Sequence, residues 1–207
     1  MSESTTPKDP HLQVRIGCQR DVPAIEELAR RRLPTMSHLH DRSSWDRTDR
    51  FGPGSHPRDR YSPVVHDART DGTENLVAFA WVDAALADDY GVEEPWWCIN
   101  AIAVAEPYAG HGIGGGLVEM IEGQAREAGV VSLYGQAYQS AAQFWRSNGF
   151  SVGALGGLLT SESKVSVAGR GRQQVVLNAE ANQHFFVKQI DGSPGVRLRT
   201  AQRDTQS

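Results

Sequence analysis

Between Ile99 and Gly116 an apolar run, Ile99-Asn100-Ala101-Ile102-Ala103-Val104, gives way to the turn Glu106-Pro107-Tyr108. The glycine-rich stretch Ala109-Gly110-His111-Gly112-Ile113-Gly114-Gly115-Gly116 follows. Beyond it, Ile113, Leu117, Ile121, Ala125 and Ala128 recur at helical spacing until Gly129. The pattern predicts a strand, a tight turn and an amphipathic helix in succession. Glycines let backbone approach an anion closely, and the first free N–H groups of a helix point at it with a favourable dipole. The chain therefore carries a cradle for phosphate, and its other segments must decide which phosphate ligand.

At 207 residues with 39% hydrophobic and 22% charged side chains, the chain has the composition of a globular protein with one substantial core. Its net charge of −4 gives no reason to expect nucleic acid or an anionic membrane as a partner. Cys18 and Cys98 stand far apart and fit neither a disulfide framework nor a zinc-ligand pattern, so no metal is suggested. The polar stretch Met1–Asp9 lacks the apolar segment of a secretory signal, and no apolar run reaches the roughly 20 residues of a membrane span. A cytoplasmic location is the expectation.

Residues 1–10 are expected to be disordered, and 11–190 to form one domain. Leu12 to Ile16 alternates as a strand does. Asp21 is a candidate N-cap for a helix whose apolar stripe is Ile25, Leu28, Ala29 and Leu33. Residues 37–60 form a loop-rich insertion with Trp45 and Phe51 as isolated apolar anchors, either a solvated surface or a binding lid. Strands are predicted at Ser62–Asp67, Leu76–Asp83, Trp96–Val104, Val131–Gln136, from Phe150 and at His184–Ile190, with a short helix at Ala141–Ser147. Around Gly169-Arg170-Gly171-Arg172, within 156–183, an extra hairpin is expected. Residues 191–207 read as a loose tail.

Gly110, Gly112 and Gly115 satisfy G-x-G-x-x-G, yet the acidic residue that should follow about 20 positions on is absent near Gly135-Gln136. A dinucleotide site is thereby demoted without being excluded. The nucleotide-triphosphate loop fails, because no Lys-Ser or Lys-Thr follows the glycines.

Instead, the order of elements from Leu12 to Ile190 resembles the GNAT superfamily of N-acetyltransferases. Two motifs carry the resemblance: Ala109-Gly110-His111-Gly112-Ile113-Gly114 against the family's Arg/Gln-x-x-Gly-x-Gly/Ala, and Ala141-Ala142-Gln143-Phe144-Trp145-Arg146-Ser147-Asn148-Gly149-Phe150 against Ala-x-x-Phe-Tyr-x-x-x-Gly-Phe. The resemblance implies an α/β (α+β) fold with a central mixed, mostly antiparallel sheet flanked by helices and splayed between its fourth and fifth strands. It implies acetyl-CoA as co-substrate. Backbone groups of Ile102, Ala103 and Val104 would hold the pantetheine arm, and Ala109, Gly110, His111, Gly112, Ile113, Gly114 and Gly115 the diphosphate, with Trp145 beside the cofactor.

Three departures from the family pattern bear on chemistry. Ala109 removes the polar contact of the Arg/Gln position, for which His111 is a replacement donor. Trp145 stands where many relatives carry a tyrosine acid, and an indole N–H is no practical acid. Tyr138 becomes the candidate acid, unless it only stacks or packs. Cys98 occupies a position where some relatives place a glutamate base, and reads better as an inert thiol. For a base, Asp83, Glu93, Glu94, Glu106, Glu180 and His184 are available, with Glu94 taken first and ordered water as the alternative. One of Trp96 and Trp97 is expected to face the acceptor cleft. The acceptor would be a small-molecule or protein amine, and by fold analogy alone the hairpin near Val165 to Leu177 would suit a homodimer contact. A GNAT-like acyl-CoA-binding sensor with little catalysis is the alternative.

Overall fold

In the computed structural model, residues 11–40, 60–69, 75–83, 92, 94–192 and 195–199 are described. The chain divides into two units, Met1–Asp83 with Asn100–Gly123, and Ala84–Ile99 with Gln124–Ser207. Antiparallel strands dominate both units and helices are few, a mixed α+β arrangement. No described helix is long and apolar enough to cross a membrane. The expectations for 1–10, for 41–59 with Trp45 and Phe51, and for Glu93 fall outside the described residues.

The first unit begins with β1 (Leu12–Ile16) and α1 (Val22–Arg32), followed by β2 (Arg60–Tyr61), β3 (Pro63–Asp67) and β4 (Leu76–Asp83). It takes in Asn100–Val104 of β5 (Trp96–Val104) and the start of α2 (Ile113–Glu127). The strand order is β1-β3-β4-β5, and β2 pairs with β4. Every residue of β4 is buried, which explains its near-continuous apolar run, LVAFAWVD. Ile25, Leu28 and Ala29 of α1 pack with Val64, Phe79, Trp81, Ala101 and Ala103, so the predicted helix stripe faces this core.

Asp21 precedes α1 as expected, but its carboxylate makes no cap to the helix. It turns back instead, accepting the Cys18 N–H at 2.8 Å and both guanidinium nitrogens of Arg15 at 2.6 and 2.7 Å. Burial pushes the Asp21 carboxyl up. The bonds from Arg15 and Cys18 outweigh that and hold it below the usual range. A bidentate guanidinium is simply a stronger donor than a helix N–H.

His66 joins this cluster. Its Nε2 accepts from Arg15 Nη2 at 2.9 Å, so its Nδ1 carries the proton and donates to Asn75 Oδ1 at 2.9 Å. Burial, with the charge of Arg15 behind it, lowers the pKa of His66 below 6.5. The neutral ring therefore stabilises the fold fully above the unfolded value. That stability is lost as pH falls toward the depressed folded value, because the unfolded chain takes up the proton more readily. His66→Gln is expected to lose less unfolding free energy than the wild type between about pH 7 and pH 5, as read by urea denaturation. Equal losses would remove His66 from the account.

The second unit holds Trp96–Ile99 of β5, β6 (Ser132–Tyr138), α3 (Ala142–Ser147), β7 (Ser151–Leu155), β8 (Leu158–Ser161), β9 (Val165–Val167), β10 (Gly171–Gln173), β11 (Val176–Asn178), β12 (Gln183–Gln189) and β13 (Val196–Arg199). Its main sheet runs β5-β6-β12-β7. β5 and β6 are parallel, and their ladder covers Trp96↔Ser132, Trp97↔Leu133 and Cys98↔Tyr134. The pairs β6/β12 and β12/β7 are antiparallel.

The expected hairpin is β9–β10, in the register Gly171↔Val167. A separate three-stranded sheet runs β11-β8-β13. The expectation of a tail from 191 is corrected here, since Val196–Arg199 pair with β8 in the register Val196↔Ser161. Val196 is buried with Val92, Trp96, Tyr134, Leu159 and Phe185. Two apolar residues alternating with Arg197 and Arg199 are too short a pattern to announce a strand.

Candidate functional site

Three contacts hold the turn after β5 in place. The Ala105 N–H donates to the Val77 carbonyl at 2.8 Å, Arg32 pairs with Glu106, and the Tyr108 hydroxyl donates to Asp67 Oδ2 at 2.6 Å. Glu106–Tyr108 form a single 3-10 turn, started by Pro107 and closed by Ala109 N to Glu106 O at 3.1 Å. Ala109 is then extended, at φ −66° and ψ 146°.

The next step needs glycine. Gly110 has φ +77° and Gly112 φ +81°, a region that L side chains enter only with strain. A Cβ built at either position would meet nothing within 4 Å. Their identity is thus demanded by backbone angle, and the space outside the loop is open. The Gly116 N–H makes a helical bond to Gly112 O at 3.0 Å. Ahead of it, the N–H groups of Ile113, Gly114 and Gly115 have no acceptor within the helix, as at any helix start. Open space, donors and the positive end of the α2 dipole coincide there.

The side chains expected around this cradle are placed as follows. Ile102 and Val104 are half-buried and alternate with Ala101 and Ala103, which lie in the core, so Ala103 has only its backbone to offer. Ala109 and His111 are exposed. His111 Nδ1 lies 2.9 Å from the Ala109 carbonyl and donates to it. With that proton engaged, Nε2 of the neutral ring is an acceptor, and only the protonated ring donates from both nitrogens.

Glu94, Tyr138 and Trp145 belong to the second unit. Glu94 is half-buried, and its carbonyl accepts the Trp96 N–H at 2.9 Å. Tyr138 is half-buried at the end of β6, opposite Gln183 of β12, just before the turn Gln139–Ala141. Trp145 is 5% exposed. Its ring stacks on Phe186 with centroids 3.6 Å apart and meets Phe144 and Phe150 edge-on at 5.1 Å. Gly135 makes room for this stack, because a Cβ there would press into the Phe186 ring and stand 2.5 Å from the Ile99 carbonyl oxygen.

Trp96 and Trp97 are each 1% exposed, so the expectation that one of them faces an open cleft is corrected: at these two residues the strand is covered on both faces. Cys98 is half-buried and takes part in no disulfide. Of the remaining base candidates, Glu106 is paired with Arg32. Glu180 accepts from Gln183 Nε2 at 3.1 Å, and Asp83 is buried. His184 is buried, with Nδ1 2.9 Å from Gly153 O and Nε2 2.5 Å from Gln139 Oε1.

Asp67 is the residue that sequence reasoning missed. It is 1% exposed at the end of β3 and accepts from Arg69 Nη2 at 2.6 Å as well as from Tyr108. Arg69 first, and Tyr108 with it, hold its carboxyl well below the usual range, while Asp67 in turn pushes the Tyr108 phenol up. Only the Asp67-x-Arg69 spacing, suited to a side-chain turn, signals it in sequence.

Chains of known structure share this architecture. PaiA N-acetyltransferase from Thermoplasma acidophilum, solved in complex with coenzyme A, aligns with a TM-score of 0.57 at 11% identity over 86% of this chain and 98% of that one. Ard1 from Thermoplasma volcanium gives 0.56 at 13% identity, over 87% and 98%. The ribosomal-protein-S18-alanine N-acetyltransferase from Escherichia coli gives 0.54 at 15%, over 86% and 94%. At these identities the likeness concerns the fold. A comparison with curated proteins finds no match. The sequence profile of the acetyltransferase (GNAT) family matches residues 23–150, well over half the chain and including both glycine-bearing motifs. With its glycine loop opening α2 and its α3 motif running to Phe150, the chain belongs to the acetyltransferase (GNAT) family.

Proposed function

We propose that this protein transfers an acetyl group from acetyl-CoA to a primary amine by direct attack. The observation that carries the reading is the Gly110–Gly112 loop, with its open outer face and the helix N–H groups that lack an acceptor within α2, in a chain of an acetyltransferase family. The N–H groups from Gly110 to Gly115 would take the diphosphate, and the backbone of Ile102 and Val104 the pantetheine arm. The CoA bound in the Thermoplasma acidophilum relative supports the choice of co-substrate.

In the reaction, the neutral amine nitrogen attacks the thioester carbon. The C–N bond forms, the C–S bond breaks, and CoA leaves as thiolate. Glu94 or an ordered water takes the proton from nitrogen, and Tyr138 protonates the sulfur. Most of the rate would come from positioning both reactants.

The test is release of free CoA thiol across a panel of polyamines, amino acids, aminoglycosides and peptides. Once an acceptor is found, Tyr138→Phe is expected to lower kcat by about 100-fold with little change in KM for acetyl-CoA. Retained kcat across pH would assign that proton to water.

A second reading has its own support. Trp145, at the position of the family's tyrosine acid, is taken up in an aromatic stack. If acetyl-CoA binds and no amine in the panel releases thiol, the protein is an acyl-CoA-binding module.

A further inference from the structure

Tyr108 is the last residue of the 3-10 turn and stands two positions before Gly110, where the phosphate loop turns to positive φ. Its hydroxyl is bonded to Asp67, 41 positions earlier in the chain, and that carboxylate is no ordinary acceptor. It is buried, and Arg69 holds both of its oxygens, through Nη2 to Oδ2 at 2.6 Å and through Nε and the backbone N–H to Oδ1 at 2.9 and 2.8 Å. Hydrogen bonds to an ionised acceptor are about twice as strong as neutral ones. Arg69 also offsets the negative charge of Asp67, so the contact does not set an unbalanced carboxylate beside an anion site.

The loop has special need of such a hold. Ala109 offers no polar side chain to a phosphate, and the His111 ring is bonded back to the Ala109 carbonyl. Recognition therefore rests on backbone N–H groups, whose value depends on being held in place before the ligand arrives. The two glycines that aim those groups are also the residues with most conformational freedom to lose.

Resting on the proposed function, we infer that Asp67 and Tyr108 form a latch that pre-sets the diphosphate loop, with Arg69 as its counter-charge. Both are positioning residues that serve the diphosphate portion of the ligand and leave the pantetheine portion untouched.

The test titrates CoA and pantetheine, which lacks the diphosphate, into the wild type and Tyr108→Phe by calorimetry. Tyr108→Phe removes one oxygen from a half-buried ring and keeps its packing. Asp67→Asn, which also frees Arg69, is run beside it with thermal unfolding as a control of folding. The expected result is CoA affinity weakened about ten-fold in Tyr108→Phe, at an unchanged pantetheine affinity. Equal CoA affinity in wild type and Tyr108→Phe, or equal losses for both ligands, would overturn the latch. A wild type that binds no CoA would overturn the proposed function itself, an outcome separate from either of these.

Discussion

Phe186→Ala is expected to lower the unfolding free energy by about 3–5 kcal/mol. Phe186 is 0% exposed on β12. Its ring lies 11° from the plane of Trp145 and meets Phe150 edge-on at 5.4 Å. Directly across the ladder, Phe186 faces Gly135, whose missing side chain is the space the ring occupies. Truncation would leave a void walled by two rigid rings and a backbone, none of which can collapse into it readily. Urea denaturation followed by tryptophan fluorescence reads the loss directly. A loss under about 1 kcal/mol would mean that the stack is peripheral to stability.

The second large effect is on binding. Gly112→Val is expected to weaken acetyl-CoA affinity on the order of 100-fold while leaving the fold largely intact. At φ +81° a β-branched residue is badly strained, at a cost of roughly 1–2 kcal/mol or more, and the loop would relieve it by turning its N–H groups away. The new side chain would also enter the open space where the diphosphate is proposed to lie. Gly123→Ala separates this effect from a general intolerance of α2. Gly123 lies inside the same helix, with nothing within 4 Å of a built Cβ. There alanine is expected to stabilise by about 0.5–1 kcal/mol and leave affinity unchanged. Calorimetric titration of both variants decides. Equal affinities in Gly112→Val and wild type would separate the loop from the ligand.

What was legible in the sequence is what is decided locally. Gly110 and Gly112 are dictated by backbone angles within a few residues of themselves, and the Ile113, Leu117, Ile121, Ala125 stripe by one helix period. The hairpin at Gly171 followed from alternation and turn chemistry over a similarly short span, whereas the mostly antiparallel sheet followed from the family resemblance. What escaped is decided at long range. The fate of Trp145 depends on Phe186, 41 residues later, which covers its ring. Asp67 and Tyr108 are bonded across an equal separation, and neither residue alone signals the other. Asp21 was placed correctly before its helix, but the choice between capping N–H groups and binding Arg15 belongs to the packing of β1 against that turn. Strand β13 was missed because four residues, two of them arginine, carry too little pattern to outweigh a polar surrounding.

The central claim, that the glycine loop makes this an acetyl-CoA enzyme, is tested most directly by thermal unfolding of the wild type with acetyl-CoA, CoA or NADH. At a hundred times its Kd a ligand adds about 2.7 kcal/mol to the folded state. The expected result is a raised Tm with acetyl-CoA and with CoA, and none with NADH. An unchanged Tm with acetyl-CoA, or an equal rise with NADH, would contradict it.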